Sequence, residues 1–521
     1  MQEKPNILMI FTDQQRWDTL RSYGNTEIKT PNLDRLAQEG ALFETAVTPC
    51  PLCMPARASV MTGKTNSALG CMENIYPRDV DNRETIAGIL RGEGYHCQAI
   101  GKMHFSDTPY AESYGMDHMI LSEETRGVRT ASSQKSIVLD DYDKFLEEHH
   151  AWGWDKPTEI GYNEIKPLSS PLPKELHVTQ WCGDRSVQWL QQERPKDKPF
   201  FLWTSFVKPH VPYDCPQHLL DLYDPESLED PWTSSEDGCA EYPYFDSYRE
   251  GKEFDLYSKK AIKRAKAYYY ANITFIDEQV GRILDTLEQE GLAESTLVVF
   301  TSDHGDLMGD HHLWYKCFGF EGSLRVPLLV RWPKKIAEGT RYTGLASLLD
   351  LFPTLLSAAG VDDAQYNRPG KDLMTLLSGE NQHEAVLSEV MFPPYTMCHV
   401  RTNRYKYLFY QNGGFEQLFN VEDDPKELRN LASNPAYADV KQEMKQWAET
   451  YIQEQGGEEF HLDAENHLRS EPYQAHRESP ERPFSRMPWD LRLPPSFCKN
   501  PGPFYKDANN DWLDVLIKNA F

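Results

Sequence analysis

The sequence predicts an α/β fold: a large, mostly parallel sheet sandwiched by helices, followed by a smaller C-terminal unit of antiparallel sheet plus helix. Three observations carry that expectation. Short apolar runs rich in β-branched and aromatic residues recur through the first two-thirds of the chain. Segments of helical periodicity lie between them, the alternation that accompanies a parallel sheet covered on both faces. Beyond about residue 385 the helical spacers give way to closely spaced strand-like pieces.

The runs are Asn6–Thr12 (NILMIFT), His96–Ile100 (HCQAI), Pro199–Phe206 (PFFLWTSF), Thr296–Thr301 (TLVVFT) and Val326–Arg331 (VPLLVR). Each is short and apolar, as strands buried on both faces are. Around LDRLAQEG, Thr30 supplies a capping hydroxyl, Pro31 a first helical position and Gly40 a stop. Ala265–Glu290 sets Ile273, Ile276, Val280 and Leu284 at helical spacing and reads as one long amphipathic helix. In the C-terminal part AVLSEV, MCHVRTN and YKYLFYQNGGFEQLFNV read as antiparallel strands, the last folding back at Asn412-Gly413. A helix from Ala436 to about Gln455 closes that unit. The chain thus divides into an α/β unit over 1–380, an antiparallel unit over 381–455 and a proline-rich arm over 456–521. The arm holds too many aromatics for a free tail, so it is expected to pack on its own or a neighbouring subunit, as a homo-oligomer contact.

At 521 residues the chain is long enough for a large core. A net charge of −26 argues against nucleic acid as a partner, because an acidic surface repels phosphate backbones. An anionic substrate must then be drawn in by a local basic pocket. The first residues lack the pattern of a secretory leader, and the run Ile7–Phe11 is too short to span a bilayer. The chain as given reads as cytoplasmic, or as periplasmic or secreted if a leader was removed. The ten cysteines are scattered and read as reduced. Cys50 and Cys53 do form a C-x-x-C pair, but no second pair completes a zinc site.

Polar residues gather at the carboxyl ends of the apolar runs. NILMIFT ends in Asp13-Gln14, HCQAI in Gly101-Lys102-Met103-His104, FFLWTSFV in Lys208-Pro209-His210, and TLVVFTS in Asp303-His304-Gly305. Ligands of open α/β sheets bind in the crevice outside those strand ends. Asp13 and Asp303, with neighbouring amide or imidazole groups, make an oxygen-rich site suited to Ca²⁺ or Mg²⁺. In CPLCMPARASVMTG, Pro55 falls in the first turn of a helix that Gly63 can end, which puts residue 53 at the anion-favouring N-terminus. Arg57, one turn on, can offer a forked contact to a tetrahedral oxyanion.

Cys53-x-Pro55-x-Arg57, followed by Thr62-Gly63, resembles the signature of the formylglycine-dependent sulfatases of the alkaline phosphatase superfamily. GKMH, KPHVP, TSDHGDLMGDH and Lys316 within YKCFGFEGSLRVPLLVR follow in that family's order. RTNRYKYLFY and LFNVEDDPKELRNL are similar to its small antiparallel subdomain, so the resemblance covers residues 5 to about 455.

The resemblance implies that a formylglycine-generating maturation enzyme oxidises Cys53 to Cα-formylglycine, and that one divalent cation is bound, Ca²⁺ first, with Mg²⁺ and Mn²⁺ as alternatives. Asp13, Gln14, Asp303 and His304 would ligate it; Gln14 departs from the acidic pair frequent in sulfatases. Arg57, Lys102 and Lys316 would neutralise sulfate oxygens. His104 would help deprotonate the hemiacetal, and His210 or Lys316 would protonate the leaving oxygen. The implied reaction releases sulfate from a sulfated small molecule, with a saccharide expected. A phosphonate monoester or phosphodiester hydrolase using the same aldehyde is the alternative; an unconverted carbohydrate-binding protein is the non-enzymatic one. Tyr76, Trp152, Trp154 and Tyr213 are candidates to stack on a sugar.

Overall fold

A computed structural model describes residues 4–475 apart from 78–79, 107–109, 124–126, 130–134, 138, 153–164, 166, 234–241, 252–256 and 393. Most of the proline-rich arm, from residue 476, and Trp154 therefore lie outside the described residues. Among the described residues nine strands form the large sheet: β1 (Asn6–Asp13), β2 (Ala41–Val47), β3 (His96–Gly101), β4 (His118–Leu121), β5 (Phe200–Pro209), β6 (Thr296–Ser302), β7 (Arg325–Val326), β8 (Leu328–Arg331) and β9 (Thr340–Ser347). Their order is β7-β2-β8-β6-β1-β5-β3-β4, with β9 also on β2. The centre, β6-β1-β5-β3-β4, is parallel throughout; β8 runs antiparallel to both β6 and β2.

Alternation along β1 assigns its side chains to two cores. Ile7, Met9 and Phe11 face a layer containing Val60, Met61, Leu90 and Phe352, while Leu8 and Ile10 face Leu33, Leu36, Trp181, Ile276 and Val280. Both faces being covered explains why the strand is apolar at consecutive positions. Helices contributing to these layers are α2 (Cys53–Thr62) and α3 (Ile86–Gly92) on one side, and α1 (Pro31–Gln38), α4 (Val178–Gln188) and α5 (Lys259–Gln289) on the other. The long helix starts earlier than its apolar stripe, at a Ser258 side chain that accepts the Ala261 N–H at 3.2 Å. Among the described residues no helix is long and apolar enough to cross a membrane.

The second sheet is antiparallel in simple succession: β10 (Val386–Phe392), β11 (Tyr395–Arg401), β12 (Tyr405–Tyr410) and β13 (Phe415–Asn420). Helix α6 (Ala438–Gln455) covers it through Met444, Ala448 and Ile452. The turn expected at Asn412-Gly413 is a four-residue loop, with Gly413 and Gly414 both at positive φ.

Two local expectations fail for long-range reasons. The Thr30 hydroxyl does not cap α1; it accepts the Arg21 N–H, and the first N–H groups of the helix go to Asp277 of α5. The run Val326–Arg331 is two strands, β7 and β8, split at Pro327, which has no N–H to donate to a ladder.

Gly101 ends β3 at φ +98, and a Cβ there would lie 2.0 Å from the Ser205 carbonyl oxygen. Gly94 also has positive φ, +92, but open space around it. Gly101→Ala is therefore expected to lower stability by about 2–4 kcal/mol and Gly94→Ala by roughly 1 kcal/mol, read from thermal melts. Equal losses would show that backbone conformation, not the β3–β5 contact, dominates.

Candidate active site

Parallel pairing of β1 with β6 in register Thr12↔Ser302 brings Asp13 and Asp303 to the same edge of the sheet. Asp303 Oδ1 accepts the backbone N–H groups of Gln14 and His304 at 3.0 and 2.9 Å. Its Oδ2 accepts Arg57 Nε at 2.9 Å, and its carbonyl accepts the Thr48 hydroxyl at 2.6 Å. From the other side comes α2, whose ten residues are all buried and whose N-terminus has no side-chain cap. Cys53 is its first residue, Pro55 stands in its first turn, and Gly63 ends it in the left-handed conformation at φ +67. The sequence-based reading of this helix holds at each of those positions.

Cys53 Sγ lies 2.9 Å from Lys316 Nζ, 3.2 Å from His304 Nε2 and 3.6 Å from Asp13 Oδ1. Lys102 Nζ lies 2.6 Å from Asp13 Oδ2. Burial alone would raise Asp13, but Lys102, His210, Lys316 and Arg57 outweigh it and hold its carboxyl well below the usual carboxylate range. At His304 burial wins instead: with Lys316 it outweighs Asp303 and Asp13 and brings the ring down to about 4. Its Nδ1 is 2.9 Å from the Gly305 carbonyl, which assigns the proton to Nδ1 and turns the Nε2 lone pair toward Asp13 and Asp303.

These residues fit a divalent cation. Ligand atoms of Asp13, Cys53, Asp303 and His304 all lie within 4.8 Å of one another. Gln14 Oε1 is buried with no hydrogen-bond partner among the described residues, a costly state unless an electrophile meets it. The two carboxylates face three cationic side chains, Arg57, Lys102 and Lys316, so the pocket keeps a positive excess that suits an anionic ester.

The other predicted residues are placed as follows. Arg57 is fully buried, and its fork is directed at protein: Nε at Asp303, Nη1 at the Lys102 carbonyl (2.6 Å) and Ser205 Oγ (2.9 Å). Its Nη2 has no hydrogen-bond acceptor among the described residues. His210 is buried, with Nδ1 2.7 Å from the Val211 carbonyl, and it is near enough to depress Asp13. His104 follows Lys102 at φ +58, its backbone N–H held by Glu123 at 2.9 Å and its ring 4.0 Å from the same carboxylate. Lys208 is spent on scaffolding: Nζ donates to the Pro212 carbonyl at 2.7 Å and pairs with Asp214. Tyr213 is core, its hydroxyl 2.7 Å from Asp306, and offers no stacking face to a sugar. Sequence reasoning did not single out Asp306, Glu123, Ser205 or Thr48, although Asp306 stands inside the quoted TSDHGD block.

A buried cluster able to hold a cation, beside a side chain at a helix N-terminus and flanked by Lys102 and Lys316 at the carboxyl edge of an α/β sheet, has the make-up of a hydrolase centre for anionic esters. Comparison with known proteins agrees. The sulfatase family model matches residues 5–361, and the model for the N-sulphoglucosamine sulphohydrolase C-terminal region matches 309–454. An arylsulfatase of Clostridium perfringens is 35% identical over 489 residues, covering 90% of this chain and 98% of its own. A choline-sulfatase of Rhizobium meliloti is 31% identical, covering 83% of each. A solved structure holding D-glucosamine-2-N,6-O-disulfate as its substrate superposes with TM-score 0.70 at 22% identity, over 87% of this chain and 98% of that one, a likeness of fold. The chain belongs to the sulfatase family.

Because the folded His304 ring titrates near 4 against a usual 6.5, the unfolded chain takes up a proton between those values that the folded chain refuses. Chelator-treated protein should therefore lose stability as pH falls from 6.5 toward 4. His304→Gln should flatten that part of the slope, measured as urea midpoints at about pH 7 and about pH 5. An unchanged difference between the two midpoints would remove His304 as a contributor.

Proposed function

We propose that this protein hydrolyses sulfate esters of saccharides, using Cys53 in its Cα-formylglycine form with Asp13, Gln14, Asp303 and His304 as cation ligands. The observation that carries the reading is the meeting of Asp13, Cys53, Asp303 and His304 within 4.8 Å, with Lys316 2.9 Å from Sγ. The functional group of residue 53 sits on Cβ in both the thiol and the aldehyde form, so the partners of Sγ are the partners of the oxidised group. When bound, a divalent cation, with Ca²⁺ favoured by the oxygen-rich donor set, lowers the pKa of a hydroxyl it holds and so supplies a nucleophile at neutral pH.

The chain's own groups do the rest. Arg57 holds Asp303 in place and helps keep Asp13 ionised. Lys102 and Lys316 balance the charge of the sulfate oxygens as it redistributes in the transition state. With its Nδ1 proton engaged by the Val211 carbonyl, His210 has Nε2 as its exchangeable nitrogen and hands a proton from it to the departing alcohol oxygen. His104, tied to Glu123, takes up a proton from residue 53. The saccharide preference is supported by the disulfated glucosamine carried by the structural neighbour.

The test is sulfate release from a panel of sulfated mono- and oligosaccharides, an aryl sulfate and choline sulfate, alongside phenol release from an aryl phosphonate monoester, using protein co-expressed with a formylglycine-generating enzyme. A sulfated saccharide should be turned over fastest, Cys53→Ala should be inactive, and Lys316→Ala should lose about 10²–10³-fold in kcat. A phosphonate hydrolysed much faster than every sulfate would overturn the sulfatase reading. An aryl or choline ester leading the panel would overturn the saccharide assignment alone.

A further inference from the structure

Gln14 is held in an unusual way. It is fully buried at φ +70, a conformation that costs a non-glycine residue energy and persists only where its surroundings over-determine it. Its N–H donates to Asp303 Oδ1 at 3.0 Å, and its carbonyl accepts the Tyr269 hydroxyl. Its side-chain Nε2 donates to Asp306 Oδ2 at 2.5 Å, while Oε1 is buried with no hydrogen-bond partner among the described residues.

Asp306 is itself fixed by donors on every side. Oδ1 accepts the Met308 and Tyr315 backbone N–H groups at 2.9 and 3.0 Å, and Oδ2 accepts the Tyr213 hydroxyl at 2.7 Å beside the Gln14 amide. A carboxylate can only accept, so whatever stands at position 14 must turn a donor toward it. An acid there would set two carboxylates against each other. Glutamine meets the requirement with one end and keeps an acceptor on the other.

We propose that Asp306 is a positioning residue for the cation: by claiming the Gln14 amide nitrogen it fixes which way the amide is turned and leaves Oε1 as the ligand atom. This rests on reading the Asp13–Asp303–His304 cluster as a metal site. It also accounts for a glutamine rather than an acid at position 14: the negative charge is carried one step back, by Asp306, outside the ligand set.

The test uses the full-length protein stripped with a chelator and titrated with Ca²⁺ by calorimetry, with the apo melting temperature recorded for every variant. In Asp306→Asn the new side-chain N–H₂ faces the Gln14 N–H₂, the amide turns over, and Ca²⁺ affinity should fall about 10–100-fold. In the double variant Gln14→Glu/Asp306→Asn the roles are exchanged. The amide introduced at position 306 donates to a carboxylate at 14, and affinity should return to within about fivefold of the parent. Asp306→Asn binding Ca²⁺ as tightly as the parent overturns the proposal. So does a double variant that stays as weak as the single one, since only a general structural role predicts that. A parent protein that takes up no divalent cation strikes instead at the metal-site reading, and the proposal falls with it.

Discussion

Everything at the centre of this molecule depends on meeting two fully buried carboxylates, Asp13 and Asp303, with opposite charge and hydrogen bonds. Removing two negative charges from water costs several kcal/mol each unless opposite charge and hydrogen bonds replace the lost solvation. Arg57, Lys102, Lys316 and two backbone N–H groups supply that replacement from separate segments of the chain. The fork of Arg57 is partly committed to this requirement: Nε meets Asp303 and Nη1 meets the Lys102 carbonyl and Ser205, while Nη2 has no hydrogen-bond acceptor among the described residues.

The backbone solves the same problem geometrically. Adjacent parallel strands end at the same edge, so β1 and β6 place their terminal acids side by side without any special turn. The pairing of β1 with β5 slips between Phe11 and Asp13, whose partners are Ser205 and Pro209. That irregularity carries β5 on past the edge and delivers Lys208 and His210 over the site. Lys208 then anchors the loop that follows, through Pro212 and Asp214, rather than facing a ligand.

Much of this was legible in one chain of residues, and the failures have a common cause. Strand cores, the ends of α2 and the polar residues that follow each strand depend on local pattern, and the structure places them where that pattern puts them. Strands β2 and β9 were not foreseen because Glu44 and the alternating polar residues of Thr340–Ser347 dilute their apolar signal. The cap of α1 comes from Asp277, which the sequence sets far away, on the long helix. Tyr213 looked available for a sugar because an aromatic in a loop carries no mark of whether its hydroxyl will meet a buried acid. Asp306 was passed over for the same reason: its importance lies in donors drawn from three other parts of the chain, Gln14, Tyr213 and the Met308–Tyr315 loop.

The antiparallel sheet, finally, helps build the site and is not an appendage to it. Lys316 belongs to a loop whose next residue, Cys317, donates its N–H to the Pro51 carbonyl at 3.0 Å, two residues before Cys53. At the far end of the loop Glu321 is buried and held well below the usual carboxylate range: burial would raise it, but Lys406, Arg401 and Arg325 outweigh that. Lys406 of β12 reaches it at 3.2 Å and Arg401 of β11 at 3.4 Å, while Glu427 accepts its N–H at 2.7 Å. Gly319, between them, lies so close to Leu408 and Met397 that a Cβ would overlap their side chains. The loop is therefore gripped by the approach to α2 at one end and by the second sheet at the other. On a free loop the 2.9 Å contact of this lysine with residue 53 would also have to offset the loop's own backbone entropy. The ion cluster around Glu321 is what lets a flexible residue type act as a fixed charge.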